Sequence, residues 1–139
     1  MSTTTRLKAH SHSVYRLTYH LVLVTNYRRK ALTAPILQDL HNITNRICES
    51  WGGELIEFSG EADHVHLLFE GHPSMALAKF VNNLKTVTSR LTRRDHGEHL
   101  SRYYSKPTLW SASYCILSTG GAPIDVIKRY IQAQDSPPG

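Results

Sequence analysis

At 139 residues, with 40% hydrophobic and 19% charged side chains, the chain fits an ordinary soluble globular protein with one domain and one sizeable core. Its formal charge of +5 favours an anionic partner such as nucleic acid without requiring one. The two cysteines, Cys48 and Cys115, lack CxxC spacing, which excludes a zinc finger and argues against a disulfide framework; both lie in apolar stretches and read as buried free thiols.

The first segment, MSTTTRLKAHSHS, is polar and has no apolar stretch of a secretory signal, so residues 1–12 are expected to be a flexible tail. No apolar run is long enough to span a membrane, and a reducing cytoplasm is the expected compartment. VYRLTYHLVLVT (14–25) is β-branched and aromatic and predicts a strand, followed by the basic turn NYRRK. In residues 34–51, Ile36, Leu37, Leu40, Ile43 and Ile47 recur at helical spacing, and Gly52-Gly53 ends the helix. ELIEFSGE (54–61) and HVHLLFE (64–70) predict two strands close enough to form a hairpin.

Residues 75–95 predict a long helix with Phe80, Leu84, Val87 and Leu91 as its buried stripe. Lys79, Asn83, Thr86, Arg90 and Arg94 lie on a different, polar face. HGEHLSRYYSKPTLW then reads as a polar connection to a fourth strand, SYCILST (113–119). GGAP breaks it, and PIDVIKRYIQAQ (123–134) predicts a last helix with Pro123 near its first turn. The expected organisation is one domain over 13–134, with a C-terminal tail at 135–139.

The order β-α-β-β-α-β predicts an α+β, ferredoxin-like antiparallel sheet with two helices on one face and an extra C-terminal helix. Alternation along 64–70 sends Val65, Leu67 and Phe69 to the helix-packed core. His64 and His66 then share the opposite face, which those two helices leave open. Residues two apart stand roughly 6.5–7 Å apart along a strand, so both imidazoles can converge on one ion. The same spacing also occurs as an ordinary surface pair, and two ligands alone hold a metal weakly. The other histidines (His10, His12, His20, His41, His72, His96 and His99) read as surface or tail residues.

KRYIQAQ supplies what the strand lacks. Tyr130 and Gln134 are four apart and share one helix face, beside an apolar face of Ile124, Ile127 and Ile131. An amide oxygen is a suitable ligand for a hard divalent cation, and a tyrosine one turn away is a candidate nucleophile. The ordinary reading of such a pair is a helix surface near a chain end. Taken together, His64, His66 and Gln134 would hold a divalent ion, and Tyr130 would attack a DNA phosphodiester. A phenol with an unperturbed pKa of about 10 needs a nearby metal or base to lose its proton. The covalent phosphotyrosine would conserve the bond for rejoining without ATP, in keeping with the lack of a phosphate-binding GxxxxGK[ST] loop.

HVH on the third strand, LKTVTSR on the long helix, LWSASYCIL at the fourth strand and IKRYIQAQ at the end resemble the single-tyrosine HUH transposases. These are the transposase A proteins of the insertion-sequence 200/605 group. The resemblance spans about residues 14–134 and implies that His64, His66 and Gln134 bind the metal, Mg²⁺ or Mn²⁺, and that Tyr130 is the nucleophile. It further implies a homodimer acting on single-stranded DNA through 5′-phosphotyrosine intermediates and recognising hairpins at element ends. The tyrosine helix of one subunit can complete the histidine pair of the other, with GGAP as a suitable hinge. Domesticated relatives acting on repetitive extragenic palindromes share the same core residues.

For DNA contact, the candidates are Arg28, Arg29 and Lys30 after the first strand, and Lys79, Lys85, Arg90, Arg93 and Arg94 on the long helix, with Arg102 and Lys106 beyond it. Tyr103, Tyr104 and Trp110 are candidates to stack on unpaired bases, Trp110 being the best core candidate among them. The alternative from another class is a non-catalytic ferredoxin-like nucleic-acid-binding module. Its base-stacking aromatics are replaced here by histidines, and it lacks an RNP1-type motif.

Overall fold

The computed structural model describes residues 8–10, 13–15, 17–119 and 129. The expected helix over 123–134 lies outside the described residues apart from Arg129, as do Tyr130, Gln134 and most of both expected tails. Two short strands, β1 (Lys8–His10) and β2 (Ser13–Tyr15), pair antiparallel as a small separate hairpin.

The main sheet contains β3 (Thr18–Thr25), β4 (Glu54–Glu61), β5 (His64–Glu70) and β6 (Trp110–Ser118). They stand in the order β4-β5-β3-β6, every neighbouring pair antiparallel. Helix α1 (Ala34–Ser50) joins β3 to β4, and α2 (Leu77–Leu100) joins β5 to β6. This is the expected ferredoxin-like arrangement.

Register follows from alternation. Leu21 and Leu23 of β3 face Leu67 and Val65 of β5, and Tyr19 faces Phe69. These residues join the stripe Ile36, Leu40, Ile43 and Ile47 of α1 and Phe80, Val81 and Leu84 of α2 in one core. Burial of each such side chain contributes about 1.5–3 kcal/mol. Trp51 clamps the two helices together: its ring meets Phe80 edge-on at 5.8 Å, and its indole N–H donates to Asn83 at 3.0 Å.

Local chemistry sets the ends of α1. The Thr33 hydroxyl accepts from the Ile36 N–H, and a proline occupies the first turn. At the other end Gly52 takes φ +77°, the left-handed conformation that closes helices, and the Gly53 N–H donates back to the Cys48 carbonyl at 2.9 Å.

Several boundaries differ from the sequence expectation. The stretch 14–25 is two strands rather than one. Helix α2 continues through the segment expected as a polar connection, bending at His96 (φ −128°, ψ 27°). That extension is held by burial of Leu100 and by two histidines. The His99 Nε2–H donates to the Ala31 carbonyl at 2.8 Å, and His96 Nε2 lies 2.7 Å from Asp39. The buried stripe of α2 is rotated toward Thr88 and Thr92, leaving Val87 and Leu91 at the core margin. Thr88 is tolerated there because its hydroxyl donates to the Leu84 carbonyl and accepts the Trp110 indole N–H. Strand β6 accordingly begins at Trp110, a core residue as expected. Cys48 is buried, and desolvation, reinforced by Glu49, pushes its thiol up to about 12. Cys115, expected to be buried, is exposed, because it lies on the edge strand β6.

After β3 the chain makes a single 3₁₀ turn, Asn26–Arg28. Tyr27 and Arg28 both adopt left-handed backbone (φ 58° and 52°). For residues carrying a Cβ this costs roughly 1–2 kcal/mol each. The turn is held by the Asn26 N–H donating to Leu109, the Tyr104 hydroxyl donating to the Asn26 carbonyl and the Thr25 hydroxyl donating to the Arg29 carbonyl.

A Cβ at Gly53 would lie 2.5 Å from the Glu70 carbonyl oxygen, a backbone atom of the central strand β5. Gly53→Ala is therefore expected to lower stability by about 1–3 kcal/mol, the range for overpacking a close contact. Urea denaturation of the two proteins measures it; equal midpoints would refute the close packing of the α1–β4 junction against β5.

Candidate active site

β5 is buried along its whole length, so the face turned away from the helices is not exposed there. His64 and His66 lie on that face, 4% and 1% exposed, flanked in register by Val24 and Val22 of β3 and by Glu61 and Ser59 of β4. Their rings are nearly parallel, with centroids 5.9 Å apart and planes at 20°. The sequence expectation of two imidazoles sharing a face is met.

The turn before β5 orients the first of them. Ala62 and Asp63 connect β4 to β5 as a two-residue turn, fastened by the Leu32 N–H to the Ala62 carbonyl and the Thr25 N–H to the Asp63 carbonyl. From this position Asp63 places one carboxylate oxygen 2.9 Å from His64 Nδ1 and the other 3.3 Å from an Arg28 guanidinium nitrogen. Burial alone would raise the Asp63 pKa, but the His64 hydrogen bond and the Arg28 and His64 charges outweigh it and hold the carboxyl below its usual range. An ionised Asp63 accepts the Nδ1 proton and leaves the lone pair on Nε2. That Nε2 is buried and has no hydrogen-bond partner among the described residues. A buried, unpartnered imidazole nitrogen backed by a carboxylate is the arrangement of a metal-ligating histidine. The residues fit a divalent metal on this ground.

At His66 the Ser59 hydroxyl lies 3.3 Å from Nδ1 and 3.2 Å from Nε2. A third imidazole belongs to this face. His20, read from sequence as a surface residue, is 5% exposed and meets the His66 ring edge-on at 5.7 Å. Burial first, then the His66 charge, lowers its pKa to about 4, so it is neutral at physiological pH. The signal was present in the alternation of β3, where His20 takes the parity opposite Leu21 and Leu23. Among the described residues no group of three or more His, Cys, Asp or Glu side chains is arranged to hold a metal. Tyr130 and Gln134, the nucleophile and third ligand expected from sequence, lie outside the described residues.

The basic candidates divide into two groups. Arg29, Lys30, Lys79 and Arg90 are exposed, as is Arg94, which pairs with its neighbour Asp95 at 2.8 Å. Arg28 is engaged with Asp63. Lys85 is tied to β6, donating to the carbonyls of Ser111 at 2.7 Å and Ala112 at 3.1 Å beneath the Tyr114 ring, and burial lowers its pKa. Tyr104 is a core residue, whereas Tyr103 is half-buried against His99.

The family model described as "Transposase IS200 like" matches residues 13–134. The ISDra2 transposase TnpA of Deinococcus radiodurans is 32% identical over 121 residues, covering 87% of this chain and 86% of the relative. The transposase for insertion sequence element IS200 of Salmonella typhimurium is 28% identical over 127 residues, covering 91% and 82%. Among solved structures, one from Deinococcus radiodurans assigned to the transposases superposes with a TM-score of 0.73 at 31% identity, over 93% of this chain and 98% of that one. A REP-associated tyrosine transposase bound to a REP hairpin shares the fold, with a TM-score of 0.58 at 9% identity, over 89% and 68%.

Asp63→Asn keeps the shape of the turn while weakening the hold on the His64 tautomer. It is expected to reduce Mn²⁺ affinity by about 10–100-fold, the usual cost of losing such a partner. Titration calorimetry with Mn²⁺ measures this, and an unchanged dissociation constant would remove Asp63 from the metal's support.

Proposed function

The chain belongs to the family of IS200-like transposases, and from that membership we propose a metal-dependent transposase of single-stranded DNA that cleaves and rejoins strands at insertion-element ends. The observation that carries the reading is the buried, unpartnered Nε2 of His64, paired with His66 and aligned by Asp63.

In this reading His64 and His66 hold the ion and Gln134 contributes its amide oxygen. When bound, Mg²⁺ or Mn²⁺ supplies positive charge that polarises a phosphodiester oxygen. The Tyr130 oxygen attacks phosphorus in line; the Tyr130 O–P bond forms, the P–O3′ bond breaks and a free 3′-hydroxyl leaves. The product is a 5′-phosphotyrosine. A second 3′-hydroxyl reverses the exchange, so rejoining consumes no nucleotide. His20, held neutral, adds no repelling charge beside the ligands.

The formal charge of +5 and the exposed Lys79 and Arg90 on α2 favour the DNA backbone as partner. Hairpin recognition is part of the proposal, by analogy with the hairpin-bound transposase of the same fold. Homodimerisation is supported by edge strand β6, which exposes Tyr114 and Leu117 at 37% and 46%. A second subunit covering them would place two sites in one particle.

Labelled single-stranded oligonucleotides from the ends of the protein's own locus, incubated with Mn²⁺ and run on a denaturing gel, test the chemistry. A covalent adduct is expected that disappears with chelator and with Tyr130→Phe, while Tyr130→Phe still binds DNA. An adduct that persists in Tyr130→Phe would refute the assigned nucleophile; DNA binding without any adduct would favour the non-catalytic module. For the assembly, Leu117→Glu is expected to shift the light-scattering mass from dimer to monomer, and an unchanged dimer would place the interface elsewhere.

A further inference from the structure

The strained turn after β3 has a feature that its fold role does not explain. Tyr27 is held in left-handed backbone, yet its ring is 79% exposed. Delivery of Arg28 to Asp63 accounts for the strain at Arg28 but not for an exposed aromatic at Tyr27. Hydrogen bonds from Asn26, Tyr104 and Thr25 nevertheless fix the turn in place. Backbone strain that the surroundings over-determine is characteristic of binding sites.

The ring stands at the rim of a cleft of about 570 Å³, lined by Tyr27, Arg29, Tyr103, Lys106, Pro107 and Thr108 among others. That volume falls within the ~300–1,000 Å³ of small-ligand sites. The Arg29 guanidinium lies 5.9 Å from the centre of the Tyr27 ring. Lys106, also exposed, adds a second positive charge to the lining. Among the described residues no acidic one lines the cleft. Aromatic faces with flanking cations match one chemistry closely: a flat heterocycle attached to a phosphate. In a duplex the base faces are already stacked, so a ring at the rim reaches only an unpaired base.

We propose that this cleft binds one unpaired nucleotide of the DNA strand, its base stacked on Tyr27 and its phosphates met by Arg29 and Lys106. The proposal rests on the single-stranded-DNA reading above and deepens it. Tyr27 is also the sequence neighbour of a residue that supports the candidate metal site. Tyr27 precedes Arg28, whose guanidinium holds Asp63, which in turn orients His64. A strand anchored in the cleft would thus be fixed one residue away from the ion pair that supports the metal ligand.

The test uses the full chain and a single-stranded oligonucleotide carrying a fluorescent adenine analogue, titrated at several salt concentrations. The wild-type protein should quench the analogue as its base stacks. Tyr27→Ala should lose the quench and weaken binding about tenfold, within the range for one base–aromatic stack, with no change in the slope of affinity against salt. Tyr27→Phe should behave as wild type. Tyr27→Gly, which relieves the left-handed backbone, should bind as weakly as Tyr27→Ala while melting no lower than wild type. Lys106→Ala should instead reduce the salt slope by about one phosphate contact. Quenching and affinity unchanged in Tyr27→Ala would overturn the cleft while leaving DNA binding intact. Failure of the wild-type protein to bind the oligonucleotide at all would overturn the single-strand reading and the cleft with it.

Discussion

The period-two alternation of β5 is the constraint on which the molecule depends. Val65, Leu67 and Phe69 must face the helices to complete the core, and this alone sends His64 and His66 to the other face. A slip of one residue would turn the imidazoles toward Phe80 and Leu84 and take three apolar side chains out of the core onto the histidine face. The register is therefore fixed by the hydrophobic core, and the imidazoles inherit its rigidity. Pairing on both sides, with β3 and β4, leaves neither histidine on a free edge.

Asp63 extends that rigidity from backbone to ring. It sits in the tightest connection of the sheet, where its carbonyl accepts from the Thr25 N–H and hydroxyl while its carboxylate joins His64 to Arg28. With its side chain only 13% exposed, the carboxylate acts in a medium that screens charge less than bulk water does. The Arg28 side chain is more open, at 44%, so Arg28 stabilises Asp63 less through its own ion pair than by opposing the cost of burying a carboxylate. The backbone strain at Arg28 has a purpose in this arrangement, because the turn delivers the guanidinium to Asp63.

Much of this was legible in the sequence, and the exceptions share a cause. Periodicity located both helices and all four strands of the main sheet because each buries one face, and burial imposes a period. The pairing of His64 with His66 followed from the same rule. What escaped were features set by contacts distant in sequence. His20 looks like a polar interruption of a strand until β5 is placed beside it. Lys85 reads as one more charge on a basic helix, but its partners are carbonyls of β6, 26 and 27 residues away. The continuation of α2 past His96 depends on Ala31 and Asp39, which no local window includes. Cys115 lies in an apolar stretch, yet its exposure is decided by β6 being the edge of the sheet. Tyr27 belongs with these. Its left-handed backbone is imposed by Asn26, Leu109 and Tyr104 acting together, and nothing in the tripeptide NYR announces it.

The division of charge across the molecule follows from these placements. The histidine face is buried, and burial holds His20 neutral. The permanent cations Arg29, Lys30, Lys79 and Arg90 stay exposed, where solvation costs nothing and long-range attraction is retained. An anionic partner would thus meet arginine and lysine at the surface, whereas the histidine face carries no lysine or arginine from β3, β4 or β5. Had that face carried lysines instead, permanent ammonium charges would lie buried there at a desolvation cost. Burial of that face keeps His20 uncharged, since desolvation is the first cause that lowers its pKa to about 4.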